Sequence, residues 1–354
     1  MGRWHLHAAR KLGADVVGVV DQDLGAAQVL LRRLPKAVAT TDITSLLHRA
    51  DVQVAHVCTP LSSHLPLALE LVASGVHVLI EKPLARTASE TRRLVEAARR
   101  TGVLICPVHQ YAWQAGVNRV AIGLPNFGPI KRLEFTICSA GGEQKPSDSL
   151  DEILFDILPH PLSLVQRLMP SIDLARIEWR VLHPASGDAL VVAEHGGTLL
   201  SIFISMGGRP SCFVVSLQCG RASAVIDGFH GYSVVMNGAA SYSAKITRPF
   251  ANALQSLGAA LTNLSCRAVR QEFAYPGLRE IVERFYGAIQ QRDDRLLPVS
   301  GEAAISLAVA RDRIMAEMRP GRVEASSTTA ERLQVRTPAC GPSRETAPSR
   351  SVSP

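Results

Sequence analysis

The sequence predicts an α/β domain with a doubly wound parallel sheet, followed by an α+β domain built on a large, mainly antiparallel open sheet. Three observations carry this. Up to about residue 110, short apolar runs alternate with helical patterns, as in a parallel sheet covered on both faces. Between 174 and 238, strand patterns follow one another with no helix between them, which indicates antiparallel pairing. From 319 the chain is rich in Ser, Thr, Pro and Arg and too poor in large apolar side chains to offset its ordering entropy. The expected divisions are 1–110, 111–318 and a disordered tail at 319–354.

The elements follow in order. His5 to Leu12 is helical, and Asp15 to Val20 is a strand ending at Asp21. Val52 to Cys58 is a second strand, and Thr59-Pro60 leads to a helix over His64–Ser74 that stops at Gly75. Val76 to Ile80 is the next strand. Thr87 and Glu90 have the spacing of a capping box, in which each side chain satisfies an otherwise orphaned amide. That helix runs to Arg100, Gly102 ends it, and Val103–Cys106 is again a strand. Beyond the first domain, Lys131–Cys138 is β-like and Leu150–Met169 largely helical. Ala175–Trp179, Leu199–Ser205 and Cys212–Leu217 are strands, and helical patterns at about 249–265, 277–291 and 301–318 close the domain.

Bulk composition narrows the function. The 354 residues are 47% apolar and 19% charged, with no apolar run long enough to span a bilayer. Seven scattered cysteines form no CxxC pair, so neither a disulfide framework nor a metal site is expected, and a reducing cytoplasm is the expected setting. The net charge is +7, but the basic residues are dispersed and aromatics make up only 5%, so neither nucleic acid nor membrane is expected as a partner. A basic surface suits an anionic cofactor or substrate.

A dinucleotide site needs a first strand, a glycine-rich turn and a helix whose amino end faces the pyrophosphate. Here Gly2-Arg3-Trp4 leads straight into the helix, so the first strand is expected to be missing from this chain. Gly2 fits the middle glycine of G-x-G-x-x-G, and His5 falls where a third Gly or Ala is usual. Asp21, near 20 residues after the turn, suits the adenosine ribose hydroxyls and would repel a 2′-phosphate, which favours NAD over NADP.

Two constellations carry chemistry. Glu81-Lys82-Pro83 follows a strand at the carboxyl edge, where α/β sheets bind ligands. Asp156 and His160 stand four apart and share a face if one helix holds both; Pro159 marks an alternative helix start that would loosen the pair. A histidine held by a carboxylate, beside a lysine that polarises an oxygen, suits removal of a hydroxyl proton during hydride transfer.

Cys58-Thr59-Pro60-Leu61-Ser62-Ser63-His64, then Gly75 through Glu81-Lys82-Pro83, and Asp156-Ile157-Leu158-Pro159-His160 resemble the motifs of the Gfo/Idh/MocA oxidoreductase family. The resemblance covers residues 1 to 318 in element order. It implies a Rossmann domain, a second domain whose open sheet serves homo-oligomerisation, and NAD(P)-dependent hydride transfer at a secondary alcohol of a sugar, cyclitol or related polyol. Carried over by residue, Lys82, His160 and Asp156 are catalytic. Gly2, Arg3, Trp4, Asp21, Thr59, Pro60, His64, Glu81, Lys82 and His109 line the cofactor. Ala112-Trp113 replaces the family's Arg-Phe, and Leu158 stands in place of a usual Gly, which implies an altered pocket wall. The alternative is a silent dinucleotide-binding relative that regulates or scaffolds; a further one uses tightly held NAD only transiently.

Overall fold

A computed structural model describes residues 1–318 apart from 33, 144, 239–241 and 273. The expected disordered tail lies outside the described residues. The chain opens with helix α1 (Gly2–Lys11), then β1 (Gly18–Val20), α2 (Leu24–Leu31), β2 (Val38–Thr40), α3 (Ile43–Arg49) and β3 (Val54–Val57). α4 (Leu61–Ala73), β4 (His77–Glu81), α5 (Ala88–Thr101) and β5 (Ile105–Val108) complete the parallel region. Sequence reasoning passed over α2, β2 and α3. β2 is only three residues long, too short for a periodic signal, whereas the two helix starts were readable. Asp23 accepts from the Gly25 amide, and Asp42 from those of Thr44 and Ser45. α5 begins with the expected Thr87/Glu90 box and ends at Gly102 with φ 72°, a left-handed turn that glycine makes without strain.

The parallel strands form two pieces, β2–β1 and β3–β4–β5. No strand among the described residues pairs with the remaining edges of β1 and β3. A cleft of about 2090 Å³ is lined by Val16–Val20 on one side and Val54–Val57 on the other, with α1 at its mouth. One continuous doubly wound sheet would need a strand between them.

The second region comprises α6 (Ala115–Phe127), β6 (Ile130–Cys138), α7 (Leu150–Ile157), α8 (Pro159–Leu168), β7 (Arg180–Ala185), β8 (Asp188–His195) and β9 (Thr198–Ser205). β10 (Cys212–Cys219), β11 (Ala222–Asp227), β12 (Tyr232–Asn237), α9 (Tyr242–Arg270), α10 (Leu278–Gln291) and α11 (Gly301–Glu317) follow. Its seven strands run in the order β12-β11-β10-β6-β9-β8-β7, antiparallel except for the β6–β9 pair. Alternate residues turn inward: Leu133, Phe135 and Ile137 on β6, Leu200, Ile202 and Ile204 on β9, Phe213, Val215 and Leu217 on β10. Each such burial contributes about 1.5–3 kcal/mol, so the period of two fixes which face is core.

Two expectations are corrected here. Ala175–Trp179 is no strand, because Asp173 captures the Ala175 amide and starts a 3₁₀ turn over Leu174–Arg176. The largely helical stretch Leu150–Met169 is two helices, the second starting at Pro159 as the alternative had it, so the shared face for Asp156 and His160 is what is corrected. Pro159 lacks an amide for an interior hydrogen bond and takes the first position of α8. Asp156 therefore lies in the last turn of one helix and His160 in the first turn of the next.

Candidate functional site

The carboxyl edge of β4 and β5 gathers the ionisable groups. Glu81 is the last residue of β4, Lys82 follows with a cis bond to Pro83, and His109 follows β5. Lys82 Nζ donates to the main-chain oxygen of Asp156 at 2.7 Å. Burial pulls the lysine down from its usual range, and the Asp156 and Glu81 charges push it back toward the protonated form. His109 is buried, and its Nδ1 has no partner; burial, Lys82 and Arg311 depress its pKa to about 3. His160 Nδ1 is likewise buried without a partner. Burial first, then Lys82 and His109, hold that ring well below its usual value. The Tyr111 ring meets it edge-on at 4.4 Å. Both histidines are therefore neutral at pH 7, beside an ammonium that donates one of its three protons to a carbonyl.

The sequence-based carboxylate–histidine pair does not form. Asp156 is exposed; its main-chain oxygen accepts from Lys82, and its carboxylate acts on that ammonium through charge without bonding His160. The break at Leu158–Pro159 is the reason. His64 also departs from its expected role: Nδ1 lies 2.9 Å from Pro83 O and Nε2 2.9 Å from Thr59 O. Its ring ties the start of α4 to the loop after β4 and positions that loop from behind. Trp113 lies between the Arg167 and Arg284 guanidiniums, each 4.3 Å from its ring, and serves packing.

The other expected cofactor residues line the cleft. Gly2, Arg3 and Trp4 stand at the amino end of α1, which no side chain caps. Asp21 sits at the end of β1, and Thr59 and Pro60 at the start of α4. An uncapped helix terminus presents amide N–H groups and a partial positive charge to an anion, while Asp21 supplies an acceptor for hydroxyls. These residues fit a dinucleotide. The special need for glycine at position 2 is not seen, since a Cβ built there meets nothing within 4 Å.

Sequence reasoning missed a buried chain of polar groups joining the cleft to the lysine. His5, 2% exposed, places Nε2 3.0 Å from Glu81 Oε1 and Nδ1 3.0 Å from His56 Nδ1. His56 Nε2 lies 3.0 Å from the Tyr286 hydroxyl. A carboxylate only accepts, so His5 Nε2–H donates to Glu81; with the His5 ring neutral, its Nδ1 accepts from His56, and Tyr286 then donates to His56. Burial first, then His5, depresses His56 to about 3, which keeps that ring neutral. The other Glu81 oxygen accepts from the Lys82 amide at 3.3 Å. No sequence spacing could reveal a contact between residues 56 and 286. Arg311, 1% exposed, was also missed; it donates to the carbonyls of Ala85 and Arg86 and braces the loop beyond Pro83.

Among the described residues no group of three or more His, Cys, Asp or Glu could hold a metal ion. Residues 1–109 match a family described as oxidoreductases with an NAD-binding Rossmann fold. The chain is 35% identical over 104 residues to an inositol 2-dehydrogenase of Arthrobacter sp. strain FB24, covering 29% of this chain and 31% of that protein. It is 34% identical over 108 residues to a 1,5-anhydro-D-fructose reductase of Ensifer adhaerens, covering 30% and 32%. The chain thus spans about a third of the length of these relatives. In fold it resembles a levoglucosan dehydrogenase in complex with NADH and levoglucosan (TM-score 0.70, 15% identity, 90% of this chain and 94% of that one). The WlbA dehydrogenase of Bordetella pertussis with NADH and UDP-GlcNAcA is similarly close (TM-score 0.69, 15% identity, 90% and 92%). Residues 1–109 thus match the NAD-binding Rossmann fold of the Gfo/Idh/MocA oxidoreductase family, and the fold over about nine-tenths of the chain is that of these dehydrogenases.

Proposed function

We propose that the protein is an NAD-dependent dehydrogenase or reductase acting on a secondary alcohol of a sugar, cyclitol or related polyol. The observation that carries this reading is the cluster of Lys82 with two neutral histidines, His109 and His160, each with an unpartnered buried nitrogen. NAD, when bound, takes or returns the hydride. Lys82 Nζ keeps its bond to Asp156 O and turns a remaining proton toward the substrate oxygen, stabilising negative charge there. His160, kept neutral, takes the hydroxyl proton through its ring nitrogen; on reduction it returns it. Asp156 sets the position of Lys82 through its carbonyl, a different role from the one its carboxylate suggested. Asp21 directs preference toward NAD. The names of the sequence relatives, an inositol dehydrogenase and an anhydrofructose reductase, support the substrate class.

Assembly through the large sheet is part of the same proposal. Leu182, Leu199, Phe203 and Val225 stand exposed on β7, β9 and β11, an apolar face suited to a second copy.

The test is oxidation of a panel of cyclitols and sugars with NAD⁺, alongside Lys82→Met and His160→Ala. Loss of about 10²–10⁴ in kcat/KM in each variant, with NAD affinity little changed, is the expected result. Wild-type rates in both variants would refute these roles. Cofactor binding with no turnover on any polyol would favour the silent relative.

A further inference from the structure

The fold brings together two cysteines that lie far apart in the chain. Cys138 ends β6 and Cys212 opens β10, and the antiparallel register sets them directly opposite each other. Opposed residues of such a pair have Cα atoms about 4.5–5.5 Å apart, inside the roughly 4.4–6.8 Å that a disulfide spans. Their Cβ atoms also start about 4.5–5.5 Å apart, so closure needs the strands to draw in by about 1 Å and both side chains to turn. No other two cysteines are opposed in the register of the described strands: Cys106 faces Leu79 and Cys219 faces Ile130.

The two sulfurs are unequally placed. Ile137 and Phe213 point into the core, so the alternation of the strands puts Cys138 and Cys212 on the opposite face. Cys138 is nonetheless only 7% exposed, because the loop after β9 lies over it: a Cβ built on Gly208 would come 2.7 Å from its Sγ. Cys212 is half-buried. Burial pushes the Cys138 thiol up, and the charge and hydrogen bond of Cys212 and the charge of Asp188 act the same way, with Arg209 opposing them. Cys138 therefore keeps its proton, and Cys212, reachable from solvent, is the sulfur that reacts first. Cys212 also precedes Phe213, whose ring lies 4.9 Å from that of Tyr111, the ring that meets His160. A bond here constrains a strand end in contact with the candidate site.

We propose that Cys138 and Cys212 form a reversible dithiol–disulfide pair, oxidised by a low-molecular-weight disulfide of the glutathione class. The Cys212 thiolate attacks one sulfur of oxidised glutathione, giving a mixed disulfide and releasing one glutathione thiolate. Cys138 then gives up its proton and attacks Cys212 Sγ, releasing the second. Two protein thiols become one disulfide, glutathione disulfide becomes two thiols, and both protons leave with the glutathione. A half-buried sulfur keeps the bond open to the reverse attack, as in disulfides that act transiently in a reducing compartment. The proposal stands apart from the hydride-transfer reading.

The test holds the full chain in glutathione buffers of graded oxidation, quenches in acid, alkylates the unfolded chain and maps its peptides by mass without reduction. Oxidised buffer should link the peptides of Cys138 and Cys212 within one chain and cut alkylation of both together by roughly tenfold or more, and dithiothreitol should restore it. Cys138→Ser should stop at the mixed disulfide, with one glutathione on Cys212, while circular dichroism matches the wild type. The wild-type map decides the matter even if that variant fails to fold. Two thiols that stay alkylatable in fully oxidised glutathione overturn the proposal. So does a link from either cysteine found only between two chains, as a dimer on a non-reducing gel, or only to another cysteine.

Discussion

Replacing His5 by Ala tests the polar chain that runs from the cleft to the lysine. His5 is 2% exposed and Glu81 8%, so the substitution leaves a buried carboxylate without the donor 3.0 Å away. A hydrogen bond to a charged group contributes about 1.5–3 kcal/mol. The lost ring also leaves a void and frees His56 Nδ1, so the total cost is about 2–4 kcal/mol. Tyr286→Phe removes only the far donor and should cost about 1 kcal/mol. Urea unfolding of both variants, with Glu81→Ala and the His5/Glu81 double variant, closes a double-mutant cycle. The expected coupling is about 1.5–3 kcal/mol, which is what a charge-assisted buried bond contributes. Nitrogen-15 spectra of the histidine rings supply a second readout. His5 should carry its proton on Nε2 and His56 on Nδ1, the pattern set by donation into Glu81. A coupling near zero, or the opposite tautomers, would refute the chain of donors.

Other outcomes follow from the same structure. His56 and His109 are depressed to about 3 and His160 well below its usual value, so the unfolded chain binds protons that the folded chain does not. Their contribution is complete above the unfolded value near 6.5 and is lost as pH falls from there toward 3, at up to ~1.4 kcal/mol per pH unit for each ring. Urea midpoints between pH 7.5 and pH 5 should fall accordingly; a flat profile would contradict the buried neutral rings. Gly277 has φ 91°, and a Cβ there would lie 2.2 Å from Gln110 O, so Gly277→Ala should destabilise by more than about 2 kcal/mol. A thermal midpoint unchanged from wild type would argue against that close approach. Asp21→Ala should weaken NAD⁺ binding and narrow the preference over NADP⁺, because a carboxylate there accepts from ribose hydroxyls and repels a 2′-phosphate. Calorimetry with both cofactors checks this, and an unaltered preference would remove Asp21 from that role.

Local signals in the sequence determined much of this protein. The capping box at Thr87 and Glu90, the stop at Gly102, the strand runs around residues 54, 77 and 105, and the placement of Glu81-Lys82 after a strand are all set by neighbours in the chain. Propensity, capping and period act over a few residues and can be read there. The parallel first region and the mostly antiparallel second one follow from the rhythm of the same elements. What the tertiary structure alone decided involves residues far apart. It brought His109 and His160 to Lys82 but left the Asp156 carboxylate without a bond to His160, because a proline restarts the helix between them. His64 was diverted from ligand to brace by two carbonyls, and a 3₁₀ turn appeared where Asp173 outcompeted a strand. The chain Tyr286–His56–His5–Glu81 exists only once α10, β3, α1 and β4 meet, and the outward leucines of α9 were legible as a helix but not as an exposed one. Period says that one face of a helix is apolar; which way that face points is settled by the polar contacts that hold the helix to the body.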